Sequence, residues 1–416
     1  MYLLGSLGQH ITMKTLALLT SVPTLLWAVT SSSTSPSAFT CTSSLDCSLN
    51  GICSPKTSTC ACDPGWTSPS CGALDLLPAK LGTGYNLTSV NTSSWGSKIV
   101  HDPQNHHLFH LFLAEFTHSC GLDYWSPYSR IVHATSAVGP AGPYTFDSEV
   151  VGTFAHNPTV IYSPADSKYL LYYIGCPQTV NPTCTSPQFT CGPGNTINGE
   201  SGISVASSTD LYTWTTHGQI LQGANDDAWD ADITNPSPFP LFGTGGVESA
   251  AEMLLVYRGC PYNCSGDELI SLSTASSFLG PYEKIRPPDP LFPEGNEDPF
   301  VWRDKRGHWH MLLHSLEPEG GFGSGPKVGR HAFAEKLDGP WTFDNQTLAF
   351  STHVEFEGSE AKDYYRRERP QLFFSEDGKM RPLYLTTGVQ EVNSPMSYSF
   401  IQPIEGAKEY EESLGF

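Results

Sequence analysis

The chain has 416 residues, a formal charge of −20 and a pI near 5.0, with only 15% charged residues against 12% aromatics. Such an acidic excess repels polyanions and excludes nucleic acid and anionic membrane surfaces as partners. With 38 glycines and 33 prolines, the composition favours a β-rich, turn-rich fold over a helical one.

In chain order, Met13-Lys14 precedes an apolar run from Leu16 to Val29 that ends near the small residue Ala28. A charged start, a short apolar stretch and a small-residue end predict a secretory signal peptide over residues 1–30. No second apolar run reaches the length of about 18 residues that a membrane span needs, so no membrane insertion is expected after signal removal. A Ser/Thr-rich linker follows over 31–40, and four N-x-[ST] sequons (Asn86, Asn91, Asn263, Asn345) are glycosylation candidates.

Six cysteines then fall within 31 residues: Cys41, Cys47, Cys53, Cys60, Cys62 and Cys71, with 5, 5, 6, 1 and 8 residues between them. A stretch this short cannot bury a core, so oxidised sulfurs must staple it, and oxidised sulfurs place the chain outside the cell. Spacing alone leaves fifteen connectivities open. With Gly65-Trp66 between the fifth and sixth cysteines, residues 41–71 resemble an epidermal-growth-factor-like domain. That resemblance implies Cys41–Cys53, Cys47–Cys60 and Cys62–Cys71, and a tethered module that offers a surface to a protein partner.

Residues 72–416 show little helical spacing. They repeat a short β-run, a turn and a second run rich in Tyr, Leu and Phe, as at 106–113, 168–174, 253–257, 308–313 and 382–385. The preceding strands open alike: His156-Asn157-Pro158, Thr234-Asn235-Pro236, Glu297-Asp298-Pro299 and Glu368-Arg369-Pro370, with a fainter fifth at Trp95-Gly96-Ser97-Lys98. The intervals from Ser97 are 60, 78, 63 and 71 residues, an internal repeat of five units. Proline suits the first position of a strand, where its missing N–H costs no ladder bond. Five units of about four strands predict a five-bladed β-propeller, so the fold class is all-β and the openings converge on one end of a central channel. Only three strands follow Arg369, and residues 72–94 are expected to add one to that last blade.

These openings resemble those of the five-bladed propeller glycoside hydrolases of the arabinanase, β-xylosidase, invertase and levansucrase group, in which Asp-Pro units place carboxylates round the channel mouth. Asp298 matches that unit literally, whereas Asn157 and Asn235 stand where the group carries aspartate, and Ser97 supplies none. The resemblance implies hydrolysis of a polysaccharide. A non-catalytic carbohydrate-binding or adhesion protein on the same fold is the alternative.

Glycoside hydrolysis needs one acid to protonate the leaving oxygen and one carboxylate as base or nucleophile. The candidates are Asp298, Glu368, Glu297, Glu115 and Asp232. Asp298 could equally be a turn aspartate and Glu368, among Arg366, Arg367 and Arg369, a structural ion pair. Replacing either catalytic acid is expected to abolish hydrolysis at unchanged stability. His156, Asn157, Asn235, Arg258 and His314 are candidate partners for sugar hydroxyls, and Trp229, Trp95 or Trp302 a stacking face. No metal or cofactor is expected: the acidic run 225–232 lacks the glycine and distant glutamate of a calcium loop, and the glycine-rich stretch 319–329 lacks a Gly-Lys-Ser/Thr unit. Of the other six cysteines, Cys260 is expected to pair with Cys264, and Cys176 with Cys184 or Cys191, with Cys120 remaining.

Overall fold

The computed structural model describes residues 39–185, 202–223, 228–241, 253–285, 289–317 and 328–416. The leader 1–30, most of the linker, Cys191, positions 225–227 of the acidic run and 319–327 of the glycine-rich stretch lie outside them. Five antiparallel sheets form the blades of a propeller. Blade 1 comprises β5 (Ser94–His101), β6 (Phe109–Phe116), β7 (Ser129–Ser136) and β8 (Thr145–Val151). Blade 2 holds β9 (His156–Ser163), β10 (Lys168–Ile174), β11 (Ile203–Ser208) and β12 (Thr215–Leu221). Blade 3 holds β13 (Asp232–Pro240), β14 (Met253–Cys260), β15 (Leu269–Ala275) and β16 (Glu283–Lys284). Blade 4 holds β17 (Asn296–Arg303), β18 (Trp309–Ser315), β19 (Val328–Ala334) and β20 (Thr342–Asp344), and blade 5 is β23 (Arg366–Phe374), β24 (Pro382–Gln390) and β25 (Ser397–Pro403). The short ribbon β21 (His353–Val354) with β22 (Lys362–Asp363) lies between the last two blades in sequence.

The second strands read as continuous apolar runs because each blade is packed on both faces. In β10, Leu171 and Tyr173 point into the core shared with blade 1, while Leu170 and Tyr172 point into the core shared with blade 3. The outermost strands carry polar residues, as in β8 and β12, which face water. The strand read at 106–113 begins only at Phe109. Asp102 Oδ1 accepts the backbone N–H groups of Gln104 and Asn105, at 2.8 Å each, and holds His106 and His107 in a turn.

Ring closure takes a reduced form of the expected one. Residues 76–85 pass the free edge of β25 and touch it at one isolated bridge, Tyr85↔Ser399, with a second, Leu76↔Ile404, just past its end, rather than forming a continuous strand. Side chains complete the seal: Thr386 Oγ1 donates to the carbonyl of Ser97 at 2.6 Å and Ser397 Oγ to that of Ser94 at 2.9 Å. The C-terminal helix Ala407–Leu414 packs Ala407 and Tyr410 over the junction of blades 5 and 1.

The cysteine-rich module is built on β1 (Gly51–Ser54) and β2 (Thr59–Cys62), with β3 (Trp66–Thr67) and β4 (Ala73–Leu74) behind it. Its bridges are Cys41–Cys53, Cys47–Cys60 and Cys62–Cys71, the pairing that the resemblance implied. It is docked rather than tethered. Trp66, 7% exposed, joins the core of blades 4 and 5 and stacks on Trp302 with centroids 6.1 Å apart. Arg306 donates to the carbonyl of Leu49 and to the Asp63 carboxylate, and Gly65 N–H to Glu405 at 2.8 Å. Among the described residues no helix is long and apolar enough to cross a membrane.

Candidate functional site

The five innermost strands β5, β9, β13, β17 and β23 touch in a closed circle round the channel. Each carries an irregularity in its pairing near the mouth, and there one residue adopts the left-handed conformation: Gly96 (φ 53°), Asn157 (58°), Asn235 (54°), Asp298 (58°) and Arg369 (61°). Glycine, asparagine and aspartate tolerate that region best, which accounts for four of the five choices. Gly96, not Ser97, is therefore the first blade's equivalent of Asp298. The prolines that follow lie within the strands and not at their starts. They sit at a bulge on the channel edge of each sheet, where a missing N–H is harmless.

These repeated residues close the mouth with a chain of polar contacts. Asn157 Nδ2 donates to Asn235 Oδ1 at 3.1 Å, and Asn235 Nδ2 donates to Asp298 Oδ1 at 2.8 Å. Asp298 Oδ2 also accepts the backbone N–H of Arg369 at 3.2 Å, and the Arg369 guanidinium pairs with the same carboxylate. Beneath this ring the channel narrows to a cavity of about 20 Å3 between Thr159, Ser237, Phe300 and Gln371. That volume is about one water molecule, so no sugar ring enters the channel from the mouth.

Beside the ring, Glu297, Asp298, Glu368 and His314 bring their polar atoms within 4.8 Å of one another, all buried. His314, at the end of β18, donates Nδ1–H to Glu297 Oε1 at 2.9 Å. Burial by itself would raise the Glu297 carboxyl. The His314 hydrogen bond and the charges of Arg369 and Arg258 overcome it and hold Glu297 well below the usual carboxylate range. Glu268 behaves oppositely. Burial and the negative charge of Glu297 outweigh the Arg258 guanidinium 3.0 Å away, and its carboxyl is pushed up. Its side chain keeps 19% exposure, whereas Glu297, Asp298 and Glu368 are 2–4% exposed. The main chain fixes this neighbourhood: Asn296 N–H, next to Glu297, donates to the Glu268 carbonyl at 2.9 Å.

The remaining sequence candidates are placed as follows. Glu115 lies outside the cluster; it accepts Tyr85 O–H at 2.5 Å and Arg130 Nη2–H at 2.6 Å, bracing blade 1. Asp232 opens β13 opposite Cys260, beside the Cys260–Cys264 bridge. Arg258 reaches both sulfurs of that bridge as well as Glu268. His156 packs at a tilt against Trp125, with centroids 4.7 Å apart, and burial followed by the charge of Arg369 pushes its imidazole well below the ordinary value. Trp229 packs against Gly259, where a Cβ would meet its ring at 2.8 Å. Trp95 is 1% exposed and covers Gly388, and Trp302 lies at the far end of its strand against Trp66, so neither offers a stacking face at the mouth. Cys120 pairs with Cys184, which removes Cys184 as a partner for Cys176; Cys176 is itself disulfide-bonded.

Glu268 had no visible signal in the opening pattern, because it starts a third strand and not a first. A comparison of third strands does mark it. Arg130 and Arg330 stand at the mouth ends of β7 and β19, facing Glu115 and Glu317, and Glu268 reverses that polarity before β15. Arg369 was marked by its place before Pro370, where the other blades carry Asn or Asp.

No protein-family model and no curated protein matches this chain. Solved structures do match in fold. A family 117 glycoside hydrolase of the marine bacterium Zobellia galactanivorans superposes with a TM-score of 0.52 at 15% identity, covering 80% of this chain and 90% of that one. The catalytic domain of a Coprinopsis cinerea GH62 α-L-arabinofuranosidase gives 0.51 at 13% identity over 82% and 98%. A GH62 hydrolase in complex with xylotriose gives 0.51 at 12% identity over 80% and 98%. At such identities the likeness is one of fold.

Proposed function

We propose that this chain is a secreted hydrolase of glycosidic bonds acting at the channel mouth, with Glu268 as proton donor and Glu297 as the ionised carboxylate opposite it. The observation that carries this reading is the opposite displacement of two acids in one site, Glu268 raised and Glu297 lowered. An acid of raised proton affinity beside a carboxylate held ionised is the asymmetry a glycosidase needs for its leaving group and its base or nucleophile. Glu268 is also the most exposed of the four carboxyls, which leaves its proton within reach of a ligand over the mouth. Glu368, whose carboxylate lies within 4.8 Å of Glu297 and His314, adds negative potential where an oxocarbenium-like positive charge develops. The narrow channel requires the sugar to lie over the ring and not inside it. Because two of the similar folds belong to an α-L-arabinofuranosidase and a xylotriose-bound hydrolase, pentose-containing polysaccharides are the first substrates to test. The paired cysteines, and the exposure of Asn86, Asn91 and Asn345, agree with an extracellular glycoprotein.

A second reading, a glycan-binding protein without hydrolysis, is favoured by one observation: Asn157, Asn235 and Arg369 occupy the ring positions and tie up Asp298. Reducing-end release from arabinan, xylan and aryl pentosides separates the two. Glu268→Gln is expected to lower kcat at least about 100-fold while glycan retardation in affinity gels persists. A wild-type protein that is retarded but never hydrolyses supports the second reading, and one that does neither refutes both.

A further inference from the structure

The channel has a second end, away from the mouth. It opens there into a pocket of about 430 Å3 whose walls include Lys98, Val100, Tyr162, Tyr169, Phe373 and Glu376. Inner strands of blades 1, 2 and 5 supply most of this wall, so it is as rigid as the ring itself. Lys98 is out of place in it. Its Nζ donates to the carbonyl of Leu372 at 2.9 Å and lies 4.5 Å from the centroid of the Phe300 ring. Among the described residues, no carboxylate comes within 4.0 Å of that ammonium. The nearest carboxylate on the pocket wall, Glu376, is bound to His101 Nδ1 at 2.8 Å. The ammonium thus has one neutral carbonyl acceptor and no anionic partner among the described residues, and burial lowers Lys98 to about 7. At the rim, Tyr162 is 45% exposed and braced edge-on by Tyr169 at 5.1 Å, presenting a flat face to solvent.

We propose that this far-end pocket binds a small carboxylate with one flat apolar face, its carboxylate on Lys98 Nζ and its face against Tyr162. The site is separated from the mouth by the polar ring, and the proposal stands whether or not the mouth hydrolyses glycosides. A carboxylate would supply the missing counter-charge through a short charge-assisted hydrogen bond, and the tyrosine would cover one face of a sugar ring or an aromatic ring. Two sources share that chemistry, a uronic acid and an aromatic acid.

Calorimetry on the full-chain protein with D-galacturonate and benzoate, set against methyl galactoside and benzyl alcohol, tests it. Binding of at least one carboxylate is expected, with its neutral counterpart at least about tenfold weaker. Which acid binds more tightly identifies the source. Because the ammonium form is required, affinity is expected to fall at least about tenfold between pH 6 and pH 8.5. Lys98→Met, which keeps the length of the stem against Phe300, is expected to abolish binding, and Tyr162→Ala to weaken it several-fold. Absence of carboxylate binding to the wild type, equal binding of the neutral counterparts, or unchanged binding in Lys98→Met overturns the proposal; the first two require no variant to fold.

Discussion

Asp298→Asn is the most informative single change at the mouth. The native carboxylate is 1% exposed at its side chain and takes hydrogen bonds from Asn235 Nδ2 and the Arg369 backbone, in addition to the Arg369 guanidinium. An asparagine there turns one acceptor into a donor and leaves a buried guanidinium without its counter-charge. Breaking one side of a buried pair costs about 3–5 kcal/mol, because the surviving charge stays desolvated. For a chain of this size that corresponds to a fall in Tm on the order of 4–6 °C. The double variant Asp298→Asn/Arg369→Met removes both charges and is expected to recover most of that loss, since replacing a whole buried pair is close to neutral. Differential scanning calorimetry at neutral pH with disulfides intact measures wild type, Asp298→Asn, Arg369→Met and the double variant. A single variant melting within about 1 °C of wild type, or a double variant no more stable than the sum of its singles, would refute the reasoning. The sequence alone predicts lost hydrolysis at unchanged stability; the ring predicts that both fall together.

Two further outcomes follow from the packing. Trp66→Ala is expected to cost about 3–5 kcal/mol in urea unfolding, as for other buried tryptophans, because the ring belongs to the blade 4–5 core; a midpoint equal to wild type would show that the cysteine-rich module is only tethered. His133 is fully buried with its Nε2 2.7 Å from His110 Nδ1, and burial followed by the charge of His110 lowers it to about 4. An unfolded histidine takes its proton near pH 6.5, so this stability is complete above that pH and is lost as pH falls toward about 4. Urea midpoints across that window are expected to fall in the wild type and to flatten in His133→Gln; identical slopes in the two would contradict it.

Much of the architecture was legible because it is written in local chemistry. The short continuous apolar runs marked strands such as β10, and the recurring residue-before-proline marked where four of the five inner strands meet the channel. The density of Cys41 to Cys71 marked a stapled module. Errors clustered where a local rule met a tertiary one. Proline was read as a strand opener, but the bulge that holds Pro158, Pro236, Pro299 and Pro370 exists only once five edges face one channel. Proximity in sequence offers Cys184 to Cys176 and no partner to Cys120, yet Cys184 bridges 64 residues back to Cys120, while the Cys191 alternative for Cys176 lies outside the described residues. Trp302 and Trp95 were candidates for a sugar platform, and the fold buries both.

By itself, then, the sequence determined the β-propeller class and the number of its blades, since hydrophobic pattern, turn residues and proline act over a few residues. Only the tertiary structure decided what the site is made of. It put Arg369 against Asp298, His314 against Glu297 and Glu268 beside both, although these residues span 101 positions of the chain. Charge pairing and desolvation depend on distances in space, and those are set by the circle of blades and not by any one strand.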